Sequence, residues 1–109
     1  MAGGIFIPNF IVAMPQRKGE KMGSQEFLTI CKTKVTEYSN VRKDKTDSNP
    51  DLTVEDVYVV WYCKTLQNHK ALLSTPLSDG MYYEITYNGD QNELYLDAYK
   101  KWENVKFEL

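Results

Sequence analysis

From Val57 onward the side chains alternate between apolar and polar positions, and this period of two constrains the fold more than any other feature of the chain. Such a period is typical of β-strands that bury one face. In the first stretch, residues 57–66, we expect an inner set made of Val57, Val59, Trp61, Cys63 and Thr65. The outer set of the same stretch is Tyr58, Val60, Tyr62, Lys64 and Leu66.

Further alternating stretches follow, with turn residues between them. "ALLST" (71–75) and "MYYEITY" (81–87) predict two more strands, and Asn88-Gly89 is typical of a tight hairpin because a type I′ turn needs positive φ at both positions. A two-residue loop there pairs Tyr83 with Leu94, and a four-residue loop keeps the same sets on the same face. Residues 94–100 then continue as a strand. We expect a turn at Glu103-Asn104 and a short extended tail, 105–109.

Before the strands, residues 23–45 have the pattern of an amphipathic helix. Ser24 is a suitable N-cap, and an apolar stripe repeats at helical spacing through Phe27, Cys31, Val35 and Tyr38. Thr53 with Glu55 and Asp56 predicts one capped helical turn just before the strands. The fold class is therefore predicted to be α+β, with one N-terminal amphipathic helix packed on a four- to five-stranded antiparallel β-meander.

The length of 109 residues fits one domain, which we place at residues 22–109. Residues 1–21 are predicted to be an N-terminal extension that is disordered or forms an added strand. They are apolar, but their basic residues follow the apolar run and Pro8 and Pro15 interrupt it, so we expect neither a signal sequence nor a membrane anchor. The predicted location is the cytoplasm, and both cysteines are expected to be reduced.

Little in the sequence points to catalysis. Cys63 and His69 are residue types that form nucleophile and base pairs, but we expect Cys63 in the core and His69 in a surface turn, where neither needs a catalytic role. Glu84 and Asp97 are expected to share an exposed acidic patch, for which solvation is an ordinary explanation and an enzymatic or cation site the alternative. With one histidine and no paired cysteine spacing, no metal or cofactor is predicted.

The two parts of the chain carry opposite charge. Residues 1–45 hold eight basic and four acidic residues, whereas residues 46–109 hold five basic and eleven acidic residues. The basic face of the helix is therefore the alternative candidate site, as a nucleic-acid interface formed by Lys32, Lys34, Arg42 and Lys43.

The outer face of the predicted sheet is the main candidate site. One helix covers only one face of a sheet, so five tyrosines are expected outside, more than a monomer usually exposes. We expect a bound protein, or a second copy in a homodimer, to contact Tyr58, Tyr62, Lys64, Tyr82 and Tyr99. The competing interpretation is that the N-terminal apolar segment or the C-terminal tail covers this face.

Three runs in the sequence, "VVWYCKTLQNHKALLST", "DGMYYEITYNGD" and "YLDAYKKWEN", resemble a family of small uncharacterised proteins from phages and prophages of Gram-positive bacteria. The resemblance extends from about Met22 to Leu109 and leaves out the first 21 residues. It implies a setting in the bacterial host cytoplasm and a host or phage protein as partner, but no known activity and no catalytic residues. Together these observations predict a small non-enzymatic accessory protein that acts by protein–protein binding.

Overall fold

The computed structural model describes residues 22–43, 46 and 50–109, and the predicted extension, residues 1–21, lies outside them. One helix precedes one sheet of four strands, so the predicted α+β fold is confirmed. The strands pair antiparallel in the order β1-β2-β3-β4, each with the next along the chain. The elements are α1 (Ser24–Val41), a 3₁₀ turn (Val54–Asp56), β1 (Tyr58–Thr65), β2 (Asn68–Ser74), β3 (Met81–Asn88) and β4 (Glu93–Lys100).

Helix α1 begins one residue earlier than predicted, because Gly23 and not Ser24 is the N-cap, and the Gly23 carbonyl accepts from the Phe27 amide at 2.9 Å. Ser24 is already helical, and its hydroxyl is 2.9 Å from the hydroxyl of Tyr62 on the sheet. The predicted apolar stripe is confirmed, since Phe27, Cys31 and Val35 are fully buried. The helix therefore presents to the sheet the face that its spacing predicts.

The C-terminal end of α1 is hydrogen-bonded to the segment that leads into the sheet. The Asn40 side chain donates to the Leu52 carbonyl at 3.0 Å and accepts from the Leu52 amide at 2.9 Å. Thr53 and Asp56 then form a capping box around the 3₁₀ turn, which confirms the predicted capped turn. These contacts fix where the chain enters β1.

The core lies between α1 and the face of the sheet that the helix covers, here called the inner face. Helix α1 lies chiefly over β2, and the inner face contributes Ala71, Leu73, Tyr83 and Ile85, all buried. Each fully buried apolar side chain of this kind contributes about 1.5–3 kcal/mol relative to an exposed one. The opposite face of the sheet, here called the outer face, has no helix over it among the described residues.

Strand β1 contains a bulge that reverses the predicted alternation. Val59 pairs with Leu73 but Trp61 pairs with Leu72, so Val60 is an extra residue. Beyond the bulge, Tyr62 faces the helix opposite Ala71, while Trp61 is 41% exposed on the outer face. The predictions that Trp61 and Cys63 lie in the core and that Tyr62 and Lys64 lie outside are therefore wrong.

The hairpin between β3 and β4 has a four-residue loop, because Asn88 pairs with Glu93. The predicted two-residue turn is wrong, and positive φ occurs at Asn92 and not at Gly89. Glycine is needed at position 89 for a different reason, since a Cβ atom there would overlap the carbonyl oxygen of Gln67. The prediction that the apolar residues of β3 and β4 share a face is confirmed, because Ile85 lies opposite Leu96 on the inner face.

Strand β4 ends at Lys100, as predicted, and the Lys101 amide extends the pairing by donating to the Gly80 carbonyl at 2.7 Å. Residues 101–109 contain neither strand nor turn, so the predicted turn at Glu103-Asn104 is wrong. Among the residues described, no helix is both long and apolar enough to span a membrane.

Candidate protein-binding face

The strand register arranges the outer face in rows that cross the whole sheet. At one end, Tyr58, Ser74, Tyr82 and Tyr99 are successive partners across the four strands. The next row along the strands is Trp61, Leu72, Glu84 and Asp97, and the third is Cys63, Lys70, Thr86 and Tyr95. Because alternate residues of a strand share a face, these rows bring side chains from distant parts of the sequence together.

Five aromatic residues of these rows form what we call the aromatic face: Tyr58, Trp61, Tyr82, Tyr95 and Tyr99. Tyr82 is half-buried, and each of the other four leaves between two-fifths and just over half of its surface exposed. With about 150–250 Å² per aromatic side chain, the exposed area is on the order of 500 Å². That area lies toward the upper end of the largest apolar patch on a typical monomer, and such patches are often functional.

The charged groups of the outer face are mostly acidic. Lys70 forms an ion pair with Glu84 at 3.6 Å, and Glu84 is paired directly across the strands with Asp97. The predicted placement of Glu84 and Asp97 on the outer face is thus confirmed. Tyr95 donates to the Glu93 carboxylate, and this hydrogen bond together with the carboxylate charge raises the pKa of Tyr95. The described part of the chain contains no cluster of three or more metal-ligating side chains.

A cavity of about 390 Å³ opens at the end of the aromatic face where the tyrosine row lies. Its walls include Tyr58 and Tyr82, residues 75–78 of the β2–β3 loop, and Lys101. Ser74 is buried beside it and donates to the Met81 carbonyl at 2.8 Å. This hydroxyl already has an acceptor, and the other walls combine the apolar Pro76 and Leu77 with the polar Thr75, Ser78 and Lys101.

Tyr62, one of the predicted contact residues, belongs to a hydrogen-bonded chain on the inner face. The imidazole of His69 is buried, with Nε2 at 3.0 Å from the Met22 carbonyl and Nδ1 at 2.6 Å from the Tyr62 hydroxyl. Because a carbonyl can only accept, Nε2 carries the proton and Tyr62 donates to Nδ1. The Tyr62 oxygen is then available to accept from the Ser24 hydroxyl, so this series of hydrogen bonds joins the start of α1 to the sheet.

Burial lowers the pKa of His69 in spite of its hydrogen bond to Met22, and the nearby charge of Lys64 lowers it further. The ring also stacks on Phe27, with centroids 4.9 Å apart. The prediction that His69 lies in a surface turn is wrong, because it is a buried residue of β2. The sequence contained the necessary pattern, since His69 alternates with Ala71 and Leu73.

Of the five predicted contact residues, the structure brings Tyr58, Tyr82 and Tyr99 together in one row. Tyr62 is on the inner face, and Lys64 folds back to donate to the Leu66 carbonyl at 2.6 Å. Trp61 was not among the predicted contact residues, but it lies on the outer face where Tyr62 was expected. Cys63 and His69 lie on opposite faces of the sheet, so they do not form a pair.

The basic residues of the alternative site are spread along α1 and largely engaged within the chain. Lys34 is 3.7 Å from Glu37, Arg42 stacks over the Tyr38 ring at 3.8 Å, and Lys43 is 3.1 Å from Asp51. Lys32 is partly exposed on the helix. These partners reduce the charge that the helix presents to an anion.

The end of the chain carries a second set of exposed apolar residues. We call residues 102–109 the C-terminal segment, in which Trp102 is 93%, Val105 54%, Phe107 79% and Leu109 121% exposed. No backbone hydrogen bond joins this segment to any other residue that the structure describes. The segment begins next to the tyrosine row, two residues beyond the end of β4.

Comparison with known proteins places this chain in a family without assigning it an activity. No curated protein and no solved structure matches it. A family model described as a family of unknown function (DUF6275) matches residues 28–109, which include most of α1, the whole sheet and the C-terminal segment. The chain therefore belongs to the DUF6275 family.

Proposed function

We propose that this protein is a non-enzymatic binding protein that docks another protein on its aromatic face. The observation that carries the proposal is the set of four exposed aromatic side chains and the half-buried Tyr82 on one sheet face that no described helix covers. Tyrosine and tryptophan are enriched among the residues that dominate binding energy at protein interfaces. In line with the sequence resemblance, we propose a phage or prophage accessory protein whose partner is a host or phage protein in the bacterial cytoplasm.

The charges favour a protein partner over a nucleic acid. The outer face carries Glu84, Glu93 and Asp97 against Lys70 and Lys101, and Lys70 is paired with Glu84. Phosphates would be repelled by this surface. The basic residues of α1 are the alternative nucleic-acid site, but the internal ion pairs of Lys34 and Lys43 weigh against it.

The test is a capture experiment with the tagged full chain, a bacterial host lysate and a double variant, Tyr58→Ser with Tyr99→Ser. Both side chains are about half exposed, so the variant should keep the melting temperature of the native protein. Partners identified with the native chain should bind the variant at least tenfold more weakly, because a hot-spot side chain contributes more than about 1 kcal/mol.

The matched control is Leu66→Asn. Leu66 is an exposed apolar residue in the β1–β2 turn with φ of 57°, a conformation that asparagine tolerates. Capture should survive this change and should weaken little when salt is raised. Equal capture by the native chain and the double variant would refute the proposal, and a steep loss with salt would favour the nucleic-acid alternative.

A further inference from the structure

The apolar side chains of the C-terminal segment are typical of a buried segment, but the described part of the same chain does not bury them. Val105, Phe107 and Leu109 alternate with Asn104, Lys106 and Glu108, the pattern of an extended segment with one buried side. Those three apolar residues are nevertheless among the most exposed of the described chain, and Trp102 before them is almost fully exposed. The apolar side of the segment therefore fits a surface outside its own domain.

We propose that the C-terminal segment of one copy packs on the aromatic face of a second copy, and that the exchange is reciprocal in a homodimer. This inference rests on the proposed function, because it uses the same aromatic face as a protein-docking surface. Of the host or phage proteins proposed above as partners, it names one, another molecule of this chain.

The path of the chain favours a second copy over the segment's own sheet. The Lys101 amide donates to the Gly80 carbonyl, so the pairing of β3 with β4 continues to the last residue before the segment. From there to Leu109 the chain has neither turn nor bend, and the segment contains no glycine or proline with which to reverse. The segment therefore leaves its own sheet in the strand direction.

The position of the segment also suits a twofold arrangement. It begins beside the tyrosine row, at the end of the aromatic face where the cavity between Tyr58 and Tyr82 opens. In a twofold dimer, the same patch on each subunit meets the other, so two tyrosine rows placed side by side would bring each segment over the partner's face.

The area available is sufficient for a stable dimer. Eight residues of extended chain span roughly 26 Å, enough to cross the three rows of the face, which lie about 7 Å apart. Three large apolar side chains per segment, Val105, Phe107 and Leu109, would bury on the order of 400 Å², and the partner's aromatic face a similar area. Counted for both segments, the total is roughly 1,600 Å², which is the size of a standard stable protein interface.

The test compares two double variants of the full chain by light scattering during size-exclusion chromatography. Val105→Ser with Phe107→Ser changes the proposed buried side, and Asn104→Ser with Lys106→Ser changes the other side of the same segment. The native chain and the second variant should be dimers, and the first should be a folded monomer whose far-UV circular dichroism is unchanged. A native monomer, or a dimer that survives Val105→Ser with Phe107→Ser, would overturn the proposal.

A crosslink identifies what the segment touches. Cys63 is an exposed thiol on the outer face, and Cys31 is buried, so Val105→Cys adds one thiol that can reach one native partner. With a disulfide oxidant added, we expect a covalent dimer that Cys63→Ser abolishes. A crosslink within one chain would show that the segment covers its own face, and a dimer that persists without Cys63 would show that two segments pair with each other. Either result overturns the proposal.

The outcomes also separate this inference from the proposed function. If the dimer requires Tyr58 and Tyr99 but not Val105 and Phe107, the aromatic face is a docking surface and the exchange of segments is wrong. If neither pair of residues affects assembly and the face captures no protein, both proposals fail.

Discussion

Replacing Tyr62 with phenylalanine removes one oxygen atom and leaves the ring in place. The ring lies 5.8 Å from that of Phe27, centroid to centroid, so its packing against α1 should persist. The lost oxygen donates to Nδ1 of His69 at 2.6 Å and is 2.9 Å from Ser24 Oγ. The variant therefore isolates the hydrogen-bonded chain from the packing that surrounds it.

The magnitude follows from the burial of His69. A hydrogen bond contributes about 1 kcal/mol net, and a buried acceptor left without a donor costs about 1–3 kcal/mol. Because the His69 side chain is buried, we expect Tyr62→Phe to lower the free energy of unfolding by about 2 kcal/mol. For a domain of this size the melting temperature should fall by roughly 10 °C.

The assay is urea denaturation followed by circular dichroism, with Tyr99→Phe as the matched control. Tyr99 lies exposed on the outer face, so removal of its hydroxyl should change stability by less than about 0.5 kcal/mol. A similarly small effect of Tyr62→Phe would contradict this expectation. It would mean that the hydrogen bonds that link Ser24, Tyr62 and His69 do not stabilise the packing of the helix on the sheet.

Three further predictions concern other residues. Burial lowers the pKa of His69 below its usual 6.5, so the unfolded chain binds more protons than the folded chain as pH falls below 6.5. The free energy of unfolding should then decrease by at most about 1.4 kcal/mol per pH unit. His69→Phe should lack this contribution when denaturation is measured as a function of pH. Gly89→Ala should cost roughly 1–3 kcal/mol in thermal unfolding, because the added Cβ overlaps Gln67; an unchanged melting temperature would contradict this. Mass spectrometry after brief treatment with a thiol reagent should find Cys63 modified and Cys31 intact, because burial raises the pKa of Cys31 to about 12; equal labelling in the native state would be inconsistent with the fold.

The features that follow from period and spacing could be predicted from the sequence. The buried stripe of α1 and the inner positions Tyr83 and Ile85 depend only on regular 3.6- and 2-residue repeats, and both are observed. The shared face of β3 and β4 was also predictable, because a loop of two or four residues gives the same parity. The sequence did not predict the packing of Gly89 against Gln67, which is distant in sequence, and this contact is seen only in the structure.

The candidate site was only partly predictable, because one extra residue changes the face of every residue that follows it in the strand. Nothing in the composition of Val59-Val60-Trp61 marks a bulge, and only its pairing with β2 reveals the extra residue. The sequence therefore predicted an outer face rich in aromatics but assigned Tyr62 to it in place of Trp61. The role of His69 was missed because the strand was expected to begin at Ala71, three residues after its actual start at Asn68.

The bulge at Val60 also has a consequence for alignments within the family. A relative that lacks this one residue would have a regular β1 and would still display the counterparts of Trp61 and Cys63. A relative of the same length with a regular strand would turn those two residues inward and display the counterparts of Tyr62 and Lys64 instead. A relative with a one-residue gap at Val60 therefore displays the same side chains on its outer face. In a relative aligned without a gap, the aligned β1 residues can lie on the opposite face of the sheet.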